Sequence, residues 1–198
     1  MTRAAVFLDK DGTLVDNVAY NADPDRVRLT RRAGEGLRKL CRLGFELIVV
    51  SNQSGVARGL FPKSALADIE ARVRALLAQE GVLLAAFLYC PHHPAGVVAR
   101  YARHCSCRKP SPGLLRRAAS EHDLCLDASW MIGDTLDDVD AGRRAGCRTV
   151  LLDSGGETEW RVTDARVPDY IVADLCLAAQ AIAVAERAAA ATPTGEPR

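Results

Sequence analysis

The sequence predicts an α/β fold, a doubly wound three-layer sandwich with a mainly parallel sheet. Three observations predict it. Apolar runs that suit strands alternate with helical stretches from end to end. Several of those runs are continuously apolar, as strands covered on both faces are. Polar residues able to do chemistry follow the runs directly, and sheets of this kind bind ligands outside the carboxyl ends of their strands.

Ala4–Leu8 is the first strand. Thr30 is placed to cap a helix running to about Leu43, where Gly44 stops it. Phe45–Val50 is the second strand. Pro62 suits the first turn of a long helix, with Ala65, Ile69, Val73, Leu76 and Leu77 at helical spacing and Gly81 as its stop. Leu84–Tyr89 reads as the third strand, and Ser111 with Pro112 opens the next helix. Ser129–Ile132 and Thr149–Leu152 are short strands around a helix, Leu136–Ala145. Asp174 starts a last helix, Leu175–Arg187. The Ala/Thr/Pro/Gly-rich stretch 188–198 reads as a flexible tail, so residues 1–187 form the expected domain. Right-handed crossovers join the strands. Between the first two strands, Thr30–Val50 is already used by a helix and a strand, which leaves no room there for a large cap domain.

A chain of 198 residues can bury a sizeable core in one domain. Apolar residues make up 48% of it and the net charge is +1, which argues against disorder and against a dedicated nucleic-acid or membrane-surface protein. No apolar run is long enough to span a bilayer. Met1-Thr2-Arg3 leads at once into the first strand, without the separate apolar segment and cleavage site of a signal peptide, so a cytoplasmic location is expected. Of seven cysteines, Cys41, Cys125, Cys147 and Cys176 fall singly in apolar or helical patterns, where the thiol acts as a small hydrophobe. Cys90, Cys105 and Cys107 share one histidine-containing segment, and clustered cysteines in a reducing compartment favour metal over disulfide.

The first strand ends in two carboxylates, Asp9 and Asp11, with Gly12 where a sharp turn is expected. Two like charges so close need a cation, and Mg²⁺ works with one or two carboxylates plus a substrate phosphate. A solvated turn is the plainer alternative. A calcium loop is excluded, because Leu14 and Tyr20 stand where it needs Gly and Glu. Asp9 could also attack phosphorus, as nucleophilic carboxylates do. After the second strand comes Ser51-Asn52-Gln53-Ser54-Gly55-Val56-Ala57-Arg58-Gly59, which lacks the spacing of a P-loop. Before a helix comes Arg108-Lys109-Pro110, and after a later strand Gly133-Asp134-Thr135-Leu136-Asp137-Asp138. Each piece alone is ordinary: Ser51 could merely cap a turn, and Lys109 and Arg58 could be surface cations. Together they supply acids, a hydroxyl and cations at successive strand ends, as phosphoryl transfer requires.

A second metal signal lies in residues 90–107. Cys90 and His92 form one ligand pair, Cys105 and Cys107 another, and three thiolates with an imidazole make a closed structural Zn²⁺ set. His93 or His104 could stand in for His92. The loop leads straight into Arg108 and Lys109, so a metal there would steady those cations.

Asp9-Lys10-Asp11-Gly12-Thr13, then Ser51, then Lys109-Pro110, then Gly133-Asp134 with Asp138, resemble the four signature motifs of the haloacid dehalogenase superfamily over roughly residues 4 to 175. The resemblance implies Asp9 as the nucleophile that forms an aspartyl-phosphate. It implies Asp11 as the group that protonates the leaving oxygen and then activates water. Ser51 and Lys109 would hold the phosphoryl oxygens. Asp9, the backbone carbonyl of Asp11, and Asp134 would bind Mg²⁺, while Asp138 would either ligate the metal directly or orient Lys109 or the metal's water shell. The zinc segment and the Ser51–Gly59 loop narrow the resemblance to the D-glycero-D-manno-heptose 1,7-bisphosphate 7-phosphatase family, with the histidinol-phosphate phosphatases as the nearest rival. That family hydrolyses the 7-phosphate in nucleotide-activated heptose synthesis. By the same resemblance Asn17, Val18, Ala19 and Tyr20, then Ser51, Asn52, Gln53 and Ser54, then Arg108 and Lys109, contact the sugar bisphosphate. Arg58 adds a cation for the second phosphate. The expected partner is thus a small phosphorylated sugar, with no nucleic acid and no membrane, and the expected state is a monomer. A non-catalytic, zinc-stabilised binding module is the alternative from another class, and the intact acids Asp9, Asp11 and Asp134 count against it. A nucleic-acid 3′-phosphatase would need a basic stripe that the chain lacks.

Overall fold

Six parallel strands form one sheet in the order β3-β2-β1-β4-β5-β6. They are β1 (Ala5–Leu8), β2 (Glu46–Asn52), β3 (Ala86–Cys90), β4 (Trp130–Gly133), β5 (Arg148–Leu152) and β6 (Tyr170–Val172). The helices are α1 (Ala33–Arg42), α2 (Ala65–Gln79), α3 (Gly113–His122), α4 (Leu136–Ala145) and α5 (Leu175–Ala191). This computed structural model describes residues 3–191 apart from 156, 158, 159 and 162.

All four residues of β1 are fully buried, and their alternation assigns the two faces of the sheet. Val6 and Leu8 point to one core with Leu37 and Leu40 of α1, Ile69, Val73 and Leu77 of α2, and Ala178, Ala179 and Ile182 of α5. Ala5 and Phe7 point to the other, with Leu114, Leu115 and Ala118 of α3 and Ala141 of α4. The sheet is therefore doubly wound, with helices on both faces. Strand order reverses direction between β1 and β4, so the crevice at their carboxyl ends is the place for a ligand.

The local signals differ from the expected ones at several ends. Thr30 does not cap α1. Arg32 precedes that helix in the left-handed region (φ 61°), and the Thr30 hydroxyl instead donates to Thr13 O at 2.8 Å, tying the loop after β1 to its own base. A proline-led turn replaces the first helical turn at Pro62, so α2 begins at Ala65, whereas Pro112 stands at the start of α3 and the helix proper begins at Gly113. The last helix runs on to Ala191, past the expected Arg187, because alanines are strong helix formers. The remainder of the expected tail, 192–198, lies outside the described residues. β6 has no counterpart among the expected strands. It is three residues long at the sheet's edge, too short to show a period, with Tyr170 and Ile171 exposed.

The segment 16–32 is a short excursion closed by a bridge between Val15 and Leu29. A second, longer excursion, 91–112, lies between β3 and α3. The first carries only a three-residue 3-10 turn, Pro24–Arg26, and the second no helix or strand, so neither forms a large cap domain.

Candidate active site

Strand ends bring the acids together. β1 ends one residue before Asp9, and β4 ends one residue before Asp134. The two strands pair directly, and Asp9 N donates to Ile132 O at 2.9 Å. Carboxylate oxygens of Asp9, Asp134 and Asp138 can all lie within 4.8 Å of one another. A cavity of about 230 Å³ opens over them, lined also by Asp11, Asn17, Ser51, Asn52, Lys109, Thr135 and Asp137.

One ammonium answers the three acids. Lys109 Nζ meets Asp9 Oδ1 at 2.5 Å, Asp138 Oδ1 at 2.5 Å and Val50 O at 2.9 Å. Lys109 is only 3% exposed. Burial opposes its charge, but the neighbouring Asp138 and Asp9 more than offset that and hold its pKa above the ordinary lysine value. Three carboxylates against one ammonium leave an excess of negative charge in a desolvated place. Burial pushes the Asp9 carboxyl up to about 7 from 3.8, with the charges of Asp138 and Asp11 adding and Lys109 opposing. Burial likewise pushes Asp134 up to about 7, helped by the charges of Asp9 and Asp138. An all-oxygen, net-negative cluster of this kind fits a hard divalent cation.

Backbone geometry sharpens that pocket. Gly12 adopts φ +82°, and a Cβ there would stand 2.0 Å from Asp134 Oδ2. No other residue type could turn the chain at that point and leave Asp134 its position. Asp138 sits in the first turn of α4, and its Oδ2 accepts from Thr135 N at 3.1 Å and from Thr135 Oγ1 at 2.7 Å. Oδ1 is thereby aimed at Lys109. The Lys109 peptide is gripped in turn by Asn52, whose Oδ1 accepts from Lys109 N and whose Nδ2 donates to Lys109 O, both at 3.0 Å.

Asp11 stands apart from the cluster. Its Oδ1 takes a 2.6 Å contact from Lys10 Nζ and its Oδ2 a 3.0 Å hydrogen bond from Gln53 Nε2. Gln53 Nε2 also donates to Ser51 Oγ at 2.8 Å.

A second cluster holds Cys90, His92, Cys105 and Cys107, with ligand atoms within 4.8 Å of one another. The sulfurs lie 3.0 to 3.5 Å apart, and His92 Nδ1 is 3.6 Å from Cys90 Sγ and 3.4 Å from Cys107 Sγ. All three thiols are free. The side-chain hydrogen bond with Cys90 holds the Cys107 thiol down to about 5, so a thiolate is available. Three sulfurs and one ring nitrogen around a common centre fit a tetrahedral soft-ligand ion. His92 fills the imidazole place. His93 turns to Arg58 instead, 3.1 Å away, and His104 is exposed. The loop is tied to the segment after β2 by Val97 N and Val98 N, which donate to Ala57 O at 2.8 and 2.9 Å.

The cavity brings together seven of the expected site residues: Asp9, Asp11, Asn17, Ser51, Asn52, Lys109 and Asp134. Among the described residues, Val18, Ala19, Tyr20, Gln53, Ser54, Arg58 and Arg108 do not line it. Several of these lie near one another. Arg58 lies 5.9 Å from the Tyr20 ring centre, and burial together with the charges of Arg108 and Arg58 lowers the pKa of His93. Tyr20 itself takes φ 52°. Residues that sequence reasoning passed over are Thr135 and Asp137, which line the cavity, and Lys10, which is 2% exposed against Asp11. Their signal was adjacency to the acids, but a lysine beside a charge reads as a surface residue until its burial is seen.

Comparison with known proteins gives the family and the fold. The HAD-hydrolase-like family model matches residues 106–178. The chain is 38% identical over 148 residues to the D-glycero-beta-D-manno-heptose-1,7-bisphosphate 7-phosphatase of Yersinia pestis, covering 75% of this chain and 79% of that one. It is 35% identical over 153 residues to the D-glycero-alpha-D-manno-heptose-1,7-bisphosphate 7-phosphatase of Photorhabdus laumondii, covering 77% and 84%. Among solved structures, the D,D-heptose 1,7-bisphosphate phosphatase of B. bronchiseptica, complexed with magnesium and phosphate, superposes with a TM-score of 0.76 at 26% identity, over 93% of this chain and 99% of that one.

Proposed function

The chain belongs to the HAD-like hydrolase family and is a phosphatase of phosphoric monoesters; from that premise we propose that it removes the 7-phosphate of D-glycero-D-manno-heptose 1,7-bisphosphate through an aspartyl-phosphate. The observation that carries the reading is Lys109, whose buried ammonium bridges Asp9 and Asp138 under the cavity where the ends of β1, β2 and β4 converge.

In this reading Asp9 Oδ attacks phosphorus in line with the leaving sugar oxygen. Asp11 delivers a proton to that oxygen, then takes one from the water that hydrolyses the intermediate. Ser51 Oγ and Lys109 Nζ hold the phosphoryl oxygens as charge develops on them. Asp9, the Asp11 carbonyl and Asp134 would hold Mg²⁺, the ion HAD phosphatases use. Bound there, it neutralises the acids and the incoming phosphate and lets Asp9 stay ionised at neutral pH. Asp138 orients Lys109, as its 2.5 Å contact supports. Cys90, His92, Cys105 and Cys107 would hold Zn²⁺, whose role is to lock the 91–112 loop and so fix Arg108 and Lys109.

Arg58, 5.9 Å from the Tyr20 ring centre, and Arg108 supply cations for the phosphate that is retained. The chain works as a cytoplasmic monomer in this reading. No helix among the described residues is long and apolar enough to cross a membrane.

The test is phosphate release from both anomers of heptose 1,7-bisphosphate and from histidinol phosphate, with and without Mg²⁺. Metal-dependent release of one phosphate from a heptose anomer is expected. Preference for histidinol phosphate would overturn the substrate assignment.

A further inference from the structure

Gln53 is 6% exposed and, among the described residues, not part of the cavity lining. Its amide nevertheless reaches two groups of the reaction. Asp11 has only acceptors when ionised, so the Gln53 group facing Asp11 Oδ2 at 3.0 Å must be the NH₂ end. The same nitrogen lies 2.8 Å from Ser51 Oγ. An NH₂ group has two protons and no acceptor, so Ser51 Oγ accepts here. The hydroxyl's own proton is then free to donate elsewhere, and the cavity that Ser51 lines is where a phosphoryl oxygen would sit.

The other oxygen of Asp11 meets the buried Lys10 ammonium at 2.6 Å. Asp11 is thus held from both sides, in an orientation set by two buried donors. We propose that Gln53 is a positioning residue rather than a substrate contact: one amide nitrogen fixes the Asp11 carboxylate and points the Ser51 proton at the phosphoryl group. This rests on the covalent Asp9–Asp11 reading above but not on the identity of the sugar.

Gln53→Leu keeps the volume and removes both donors. Steady-state turnover of p-nitrophenyl phosphate with Mg²⁺ is expected to show kcat down on the order of 10²-fold, as for a small misplacement of reacting groups, with KM within about twofold. Combining Gln53→Leu with Ser51→Ala is expected to cost less than the product of the two single losses, because they share one hydrogen bond. A raised KM with unchanged kcat would make Gln53 a substrate contact and overturn the proposal, as would fully multiplicative losses. Should the leucine variant not fold, Gln53→Glu keeps the shape and sets an acceptor against Asp11, and the same kcat loss is expected. Asp9→Asn is run alongside. Activity surviving in it overturns the covalent route and this proposal with it, whereas a dead Asp9→Asn beside an unaltered Gln53→Leu overturns the positioning role alone.

Discussion

Asp9 and Asp134 share one physical predicament: each is a buried acid whose carboxyl is pushed to about 7. A metal must displace those protons, so Mg²⁺ affinity is expected to climb by up to about tenfold per pH unit and per proton as pH rises toward 7, then level off. Calorimetric titration in buffers of different ionisation enthalpy measures both the affinity and the protons released; a pH-independent affinity with none released contradicts it. The sign for stability follows from the same shift. Folded-state values lie above the ordinary 3.8, so between about pH 4 and 7 the metal-free fold binds more protons than the unfolded chain. Its melting temperature should therefore fall as pH rises through that window, with Mg²⁺ restoring more at the upper end. Gly12 is the other decisive residue. Gly12→Ala would drive a methyl into Asp134 and impose strain worth about 1–3 kcal/mol. Both a lower melting temperature and weaker Mg²⁺ binding are expected, and a variant with wild-type affinity would show that Asp134 has another resting place.

Elements turn these side chains into a site. The N-terminal turn of α4 carries Asp138, which satisfies Thr135 N with one oxygen and Lys109 with the other. Asp138→Ala removes a helix cap, at a cost of about 1 kcal/mol, and also loosens Lys109. The expected result is a modest drop in melting temperature with a disproportionate loss of kcat; parallel changes in both would reduce Asp138 to a cap. The 91–112 loop has no helix or strand of its own; Asn52 clamps its Lys109 peptide, and the Cys/His cluster ends at Cys107, two residues before Lys109. Chelating a bound ion, or Cys107→Ala, should raise KM for substrate about tenfold, the scale of one lost ion contact, while the sheet's circular dichroism persists. Unchanged kinetics in a protein shown by elemental analysis to hold no zinc would remove the link between the loop's metal and the cavity.

The whole molecule separates stability from chemistry. α1, α2 and α5 pack on one face of the sheet around Leu37, Leu40 and Ile182, while the cavity lies beyond the strand ends. Leu37→Ala should therefore cost about 2–5 kcal/mol in denaturant unfolding and leave kcat of the folded protein within about twofold. A kcat that falls with stability would mean the core and the cavity move together.

What could be read from the chain alone was whatever depends on neighbours along it. Apolar runs marked β1 to β5, because a strand covered on both faces has little polar side. Asp9-Lys10-Asp11-Gly12-Thr13 and the Cys/His segment were legible because metal and phosphate chemistry needs fixed residue types at close spacing. Tertiary structure decided the rest. β6 needs β5 beside it to be a strand at all. Lys109 reaches Asp9 across a separation of 100 residues, Gln53 serves Asp11 and Ser51 instead of facing the cavity, and Lys10 is buried. Those outcomes turn on burial and on which ends the sheet order sets side by side, and both come from packing rather than from any local stretch of chain.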